Sequence, residues 1–429
     1  MSLPIQQAPQ PSGNGATAVP LPSVWVLLGE TTGDNAQLIT LAKALGWPTC
    51  YRRAADSRIS LAWNRLHAFW MGTIPRSRKL LLAPPWPDLV LTCGGRALAD
   101  ARRLRRLLGN KVCIVNIGRP WGSFRLYDCI ITTPQYGLPP GLNVLENLFP
   151  LNTLPDMDRR AALALEWLPR WQHLPRPWIT CVVGGPSSSY QWTVQDVDRL
   201  SARARAIQEQ LGGSWLVITS PRTPPEIARH LQRAAGSGFL PSYGDPACSS
   251  AIYQASLALS DRFIVTADSA SMIAEVCQTN RPVHLFEPTP RKKAWRSDHL
   301  KWPGALASRL TMRGLWTPPR NMAAYHRRLQ AMGLIAPWPD EPQEGAATIR
   351  VDGVRYQQAF AQGRSIDLER SVTRIRLMMG LPPRPLASEP LASTSRHEVA
   401  HFLASNSSTP EAHYISPPAE HQLLPEVLR

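Results

Sequence analysis

The sequence predicts an α/β protein with two doubly wound, parallel-sheet domains facing a cleft, and with termini that carry no fold. Three observations predict it. Short apolar runs end in loops of Gly, Ser and Thr and are followed by apolar residues at helical spacing. That unit recurs in two series, separated by a linker. A chain of 429 residues has room for two such domains, and with 44% hydrophobic and 18% charged residues it can bury a core for each.

Residues 1–22 hold Pro, Gln, Ser and Gly without any charge, and read as a disordered lead-in. The N-terminal domain is expected over 23–155. It opens with a strand at Val24–Leu28, a Gly-containing turn, and a helix marked by Leu38, Leu41, Ala42 and Leu45. Residues 87–109 repeat strand, loop and helix, and 111–118 and 127–133 read as further strands. An amphipathic segment near 158–171 follows Pro150. The C-terminal domain is expected over 156–380, with strands beginning near 178, 214 and 263, helices between them, and a closing strand at 282–287. Strands alternating with helices make βαβ units, hence parallel Rossmann-like sheets. From about Leu381 to Arg429 the chain is rich in Pro, Ser and Ala, and reads as a disordered tail.

Composition narrows the function. The seven cysteines show no CxxC spacing, which argues against structural zinc and a disulfide scaffold and fits a reducing, cytoplasmic compartment. No apolar run reaches the roughly 18 residues of a membrane span. The first 22 residues hold no Lys or Arg, so a secretory leader is not expected. Charge is unevenly placed. Residues 51–125 carry fifteen Lys or Arg against three acids within a formal balance of +16. An anionic partner suits that stretch, either a phosphate compound or a lipid surface. A general preference for Arg is the alternative reading, since only six of the 47 cations are Lys. Motifs of nucleic-acid readers are missing, so no nucleic-acid partner is expected.

In open α/β sheets ligands bind beyond the carboxyl ends of the strands, so the post-strand loops are the candidate site. The first runs from Gly29 through Gly33, Asp34 and Asn35 to Gln37. It has neither the GxGxxG spacing of a dinucleotide loop nor the Lys of a Walker A loop. Asp34 suits a general base that takes a proton from a hydroxyl, and Asp34 or Asn35 equally suits helix capping. The second loop, Gly184-Gly185-Pro186-Ser187-Ser188-Ser189, offers amides and hydroxyls to a diphosphate, or is a plain strand-to-helix turn. In the third, Arg222 with Ser220 and Thr223 can bind a phosphate. In the fourth, Ser269 and Ser271 stand at a helix start, and Glu275 one turn on can accept both hydroxyls of a ribose, though a capping arrangement fits too.

Two further patterns stand outside these loops. His397, Glu398 and His401 match the zinc-protease HExxH pattern, but in the tail, where no framework would orient a metal; no metal site is expected. Trp63, Leu66, Phe69 and Trp70 beside Arg76, Arg78 and Lys79 suit either an anionic membrane interface or one buried helix face.

Taken in order, GETTGDNAQ (29–37), PDLVLTCGGR (87–96), NIGRP (116–120), the segment 132–152, VVGGPSSSY (182–190), ITSPRTPPE (218–226) and the segment 260–283 resemble the mitochondrial-fission ELM family, which is grouped with glycosyltransferases. Residues 240–252 depart from the family pattern. The family is similar in turn to GT-B glycosyltransferases such as murein glycosyltransferase and lipid A disaccharide synthase. The resemblance implies an N-terminal acceptor domain and a C-terminal nucleotide-sugar domain, with no cofactor or metal beyond the nucleotide sugar as co-substrate. It places Asp34 near the loop of the catalytic base. Gly184, Gly185, Ser187, Ser188, Ser220, Arg222, Thr223, Ser269, Ser271 and Glu275 fall on the donor side, and Gly33, Gln37, Arg96 and Arg119 on the acceptor side. The implied acceptor is an envelope or lipid-linked glycan, with the enzyme peripheral on the inner face of the membrane through residues 51–125. The competing implication is a non-catalytic, membrane-associated adaptor.

Overall fold

Val24–Leu28 (β1) is buried along its whole length, because both of its faces are covered. Alternate side chains explain how. Val24, Val26 and Leu28 pack with Leu38, Leu41 and Leu45 of helix α1 (Thr32–Leu45) on one face. Trp25 and Leu27 pack with Ala101 and Leu104 of α2 (Leu98–Leu108) on the other. Helix α1 ends where Gly46 takes φ 67° and its N–H turns back to the carbonyls of Ala42 and Lys43.

The structure is a computed structural model that describes residues 20–29, 31–53, 84–95, 97–155, 157–238, 240, 250–291, 304–338, 351–383 and 413–415. The expected interfacial stretch 60–79, the HExxH match and most of both termini lie outside the described residues, as do Arg96 and residues 241–249.

The first sheet adds β2 (Thr49–Arg53), β3 (Leu89–Cys93), β4 (Cys113–Ile117), β5 (Cys129–Thr132) and β6 (Val144–Glu146). They run parallel in the order β2-β1-β3-β4-β5-β6. The second sheet follows helix α3 (Met157–Trp171) and comprises β7 (Trp178–Val183), β8 (Ser214–Thr219), β9 (Arg262–Thr266) and β10 (Val283–Phe286). It is parallel in the order β10-β9-β7-β8. Its helices are α4 (Val194–Leu211), α5 (Pro225–Ala235), α6 (Ser250–Leu259) and α7 (Ala270–Cys277). Thr193 and Asp196 close α4 with a reciprocal capping box. The α/β class and the paired parallel sheets are as the sequence predicts. Strands β2 and β6 escape the sequence reading because one is half polar and the other has three residues.

Strand order reverses between β1 and β3 in the first sheet and between β7 and β9 in the second. Each reversal sends neighbouring connections to opposite faces and leaves a crevice at the strand ends. The crevices bring together the loops after β1, β3, β7 and β9.

After β10 come α8 (Ala305–Met312), α9 (Met322–Ala331), α10 (Val351–Ala361) and α11 (Ile366–Met378). Helix α11 departs from the sequence division, which put 156–380 in one domain. Its Leu368, Val372 and Ile375 lie in the first sheet's core beside α1, while Leu148 and Phe149 cross the other way into the second core. Buried Asp367 fastens this exchange. Its carboxylate accepts the N–H groups of Leu148 and Phe149, at 3.1 and 2.9 Å, and the hydroxyl of Tyr356 at 2.8 Å. Within the expected tail, His413–Ile415 (β11) pairs antiparallel with β2 at the sheet edge.

Candidate functional site

A cavity of about 680 Å³ opens between the two sheets, within the size of ordinary small-molecule sites. From the first half it is lined by the start of α1 and by the segment 131–136; from the second, by the loops after β7, β8 and β9. A smaller cavity of about 370 Å³ adjoins it. Asp34, Tyr136 and Arg320 line both, so these three side chains form the partition.

The two capping candidates separate cleanly. Asn35 closes the loop after β1, accepting the Gly29 N–H at 2.8 Å and donating to the Gly29 carbonyl at 3.0 Å. Thr31 occupies the cap position, and Asp34 is turned to the partition instead. Burial pushes the Asp34 carboxyl above its ordinary pKa, opposed by hydrogen bonds from the Cys93 thiol and Thr31 and by the charge of Arg320. Cys93, at the end of β3, is driven well above its own usual value by burial and by Asp34, so it stays a neutral donor.

Of the residues expected on the donor side, Ser187, Ser220, Arg222, Ser269, Ser271 and Glu275 line the larger cavity. Ser188 lines the smaller one. Gly184, Gly185 and Thr223 line neither, and the two glycine amides are used inside the protein rather than held open as the expected cradle. The Gly184 N–H donates to Thr266 Oγ1 at 2.8 Å, and the Gly185 N–H to Asp268 Oδ2 at 3.1 Å. The glycines serve packing: a Cβ on Gly184 would stand 2.1 Å from Asp268 Oδ2, and one on Gly185 would stand 2.1 Å from the Arg222 carbonyl. Thr223 Oγ1 lies 2.5 Å from the Gly184 carbonyl and fixes the same turn. Ser269, not Ser271, caps α7 by accepting the Met272 N–H.

Asp268, in the loop after β9, carries no signal of its own in the sequence. It is buried, accepts from Thr266 Oγ1 at 2.6 Å, and holds Arg222 Nη2 at 2.8 Å. Arg222, half-exposed, is thereby steered along the cavity wall. Glu275 lies under α6: Tyr253 donates to one of its oxygens at 2.5 Å and Asn152 to the other at 3.2 Å.

The residues expected on the acceptor side divide. Gly33 and Gln37 line the larger cavity and Arg119 the smaller. Gln37 Oε1 also accepts the Leu151 N–H at 3.2 Å, which ties α1 to the crossover. Arg320 has no sequence signal at all. It arrives from the segment after α8, which docks on the first half where Gln135 accepts from both Arg320 Nε and Nη2 and the Gln135 carbonyl takes the Asn321 N–H. Among the described residues no cluster of His, Cys, Asp or Glu is arranged to hold a metal, and no helix is long and apolar enough to cross a membrane.

The sequence profile described as Mitochondrial fission ELM1 matches residues 32–357, most of the chain. The chain belongs to that family. It is 25% identical over 242 residues to the mitochondrial fission protein ELM1 of Arabidopsis thaliana, a match that covers 50% of this chain and 53% of the plant protein. The chain thus spans about half the length of that relative. An uncharacterised protein of Rickettsia prowazekii (strain Madrid E) is 22% identical over 312 residues, with coverage of 62% and 83%. Among solved structures, a glycosyltransferase of Rickettsia africae is 10% identical with a TM-score of 0.43, over 87% of this chain and 100% of that one. The MurG protein of Acinetobacter baumannii is 16% identical with a TM-score of 0.37, over 85% and 96%.

Proposed function

We propose that this protein is a metal-independent glycosyltransferase of the GT-B kind, which moves a sugar from a nucleotide-sugar donor to a hydroxyl acceptor. The observation that carries the reading is the place of Asp34. It is a carboxylate of raised pKa on the wall between two cavities, opposite loops that carry an arginine, several hydroxyls and Glu275. The donor occupies the larger cavity, its diphosphate along Ser187, Ser220 and Arg222 and its ribose against Glu275. The acceptor hydroxyl meets Asp34 from the first half. Asp34 takes the hydroxyl proton as that oxygen bonds to the anomeric carbon. The bond from the anomeric carbon to the diphosphate breaks, and its electron pair leaves with the diphosphate, whose charge Arg222 offsets. The acceptor in this reading is an envelope or lipid-linked glycan, approached at the inner membrane surface through the basic 51–125 region.

The name borne by the Arabidopsis relative favours a second reading, a membrane-associated adaptor of the fission type that performs no transfer. Release of nucleoside diphosphate from a panel of nucleotide sugars separates the two. The wild type should turn over one donor, and Asp34→Asn should lower that turnover by about 10²–10⁴-fold while it still binds the nucleotide. Equal turnover by the two proteins would remove Asp34 as the base.

A further inference from the structure

Arg320 stands where the two halves of the protein meet. Its segment joins α8 to α9, and those helices serve different cores. Met312 at the end of α8 packs on the first, while Met322, Tyr325 and Leu329 of α9 lie in the second. The first half supplies a socket for the side chain. Gln135, almost wholly buried, accepts Arg320 Nε at 2.8 Å and Nη2 at 2.5 Å on a single oxygen, Oε1. Its Nε2 donates to Thr133 Oγ1 at 3.1 Å. An amide nitrogen in place of Oε1 would face two N–H donors, so the partners fix which way the amide points. The Asn321 N–H donates to the Gln135 carbonyl at 2.8 Å and holds the next residue to the same turn.

That the socket is an amide matters. A guanidinium fork is matched best by a carboxylate, and Arg222 has one in Asp268 at 2.8 Å. Arg320 is bonded to a neutral oxygen instead, so its charge is not cancelled in the socket. It shares the partition between the two cavities with Asp34, and its charge acts on that carboxylate. Burial alone favours the neutral acid there, and a protonated carboxyl cannot take a proton. The other groups around Asp34 are Thr31 and the Cys93 thiol, which donate hydrogen bonds to it, and Tyr136. Burial pushes Cys93 and Tyr136 upward, so both stay neutral at physiological pH. Arg119 lines the smaller cavity, and Arg222, Asp268 and Glu275 line the second half's wall of the larger.

We propose that Arg320 is the positioning residue of the base: its charge keeps Asp34 ionised at the partition, and Gln135 keeps that charge available by holding the guanidinium through a neutral oxygen. The inference deepens the transferase reading, in which Asp34 is the base, but its first readout needs no turnover. Asp34 is titrated in the full chain by carbon-13 NMR of aspartate carboxyls, its signal assigned by its loss in Asp34→Asn. Arg320→Gln should move the Asp34 midpoint up, and Arg320→Lys, which keeps the charge, should hold it near the wild type. Gln135→Glu separates charge from structure. It keeps the shape, accepts the same two N–H groups, and lets the Thr133 hydroxyl turn to donate, so the thermal midpoint should not fall. Yet the new carboxylate cancels Arg320, and the Asp34 midpoint should rise as it does in Arg320→Gln. Arg328→Gln, which removes a cation paired with Glu146 at 2.6 Å, should leave it in place. With a donor that is turned over, the acid limb of the pH–rate profile should follow the midpoints, and turnover on that limb should fall roughly threefold or more in Arg320→Gln and Gln135→Glu. An unmoved Asp34 midpoint in folded Arg320→Gln, or in Gln135→Glu where Arg320→Gln does not fold, would overturn the proposal. So would an equal rise in Arg328→Gln. Moved midpoints with no donor turned over leave the pairing standing and defeat the transferase reading; turnover with unmoved midpoints defeats the pairing alone.

Discussion

Gly184→Ala tests whether the glycine pair after β7 exists for packing or for a phosphate. A Cβ there would lie 2.1 Å from Asp268 Oδ2, 2.3 Å from Oδ1 and 2.5 Å from Cγ. Carbon and oxygen settle at about 3.3 Å or more, so the carboxylate must retreat by about 1 Å. It has no slack for that, being held by the Gly185 N–H, the Thr266 hydroxyl and Arg222 at 3.1, 2.6 and 2.8 Å. Hydrogen bonds to a charged group contribute about 1.5–3 kcal/mol each, so loss of two costs roughly 3–6 kcal/mol. Gly29→Ala is the control. Its nearest neighbour would be Asn35 Oδ1 at 4.0 Å, so alanine should stay within about 1 kcal/mol of the wild type, on the stabilising side. Urea unfolding followed by tryptophan fluorescence gives both midpoints. A wild-type midpoint for Gly184→Ala, with nucleotide affinity alone reduced, would refute the packing argument and restore the cradle.

Activity should fall on the acid side at a pH above the ordinary carboxylate value, because Asp34 must be ionised and burial raises its pKa. Cys93→Ala removes a hydrogen bond that lowers that pKa, so the acid limb should move further up, whereas Cys93→Ser should hold it; a pH–rate profile reads both. The stability sign is opposite. The fold favours protonated Asp34, so its contribution is present below the unfolded pKa and is lost as pH rises through the folded one. Asp367→Asn leaves one of the Leu148 and Phe149 amides facing an NH₂ group, at a cost of about 1–3 kcal/mol. A lower urea midpoint with faster hydrogen exchange at those two amides is expected, and unchanged exchange would remove Asp367 as the fastener of the crossover.

What could be read from the sequence follows from how locally each feature is encoded. Strands such as VWVLL and WITCVV announce themselves because both faces of a parallel strand are buried. The positions of the loops after them are legible for the same reason. Their internal bonding is not, because GGPS has the same composition whether its amides face a ligand or Thr266 and Asp268. Helix α11 shows helical periodicity at Leu368, Val372 and Ile375, but periodicity does not say which core receives them. Arg320 was invisible for a related reason. It acts through a docking between segments 185 residues apart, and an arginine in a Pro-flanked loop carries no signal of its own.

Whether the larger cavity holds a nucleotide sugar can be read from a thermal-shift and calorimetry panel of UDP, GDP, ADP and CMP with EDTA present. Ligand at 100 times its Kd stabilises the folded state by about 2.7 kcal/mol. One nucleotide should shift the wild type and Asp34→Asn alike and lose its hold on Glu275→Ala. A well-folded wild type that none of the four shifts would contradict the account.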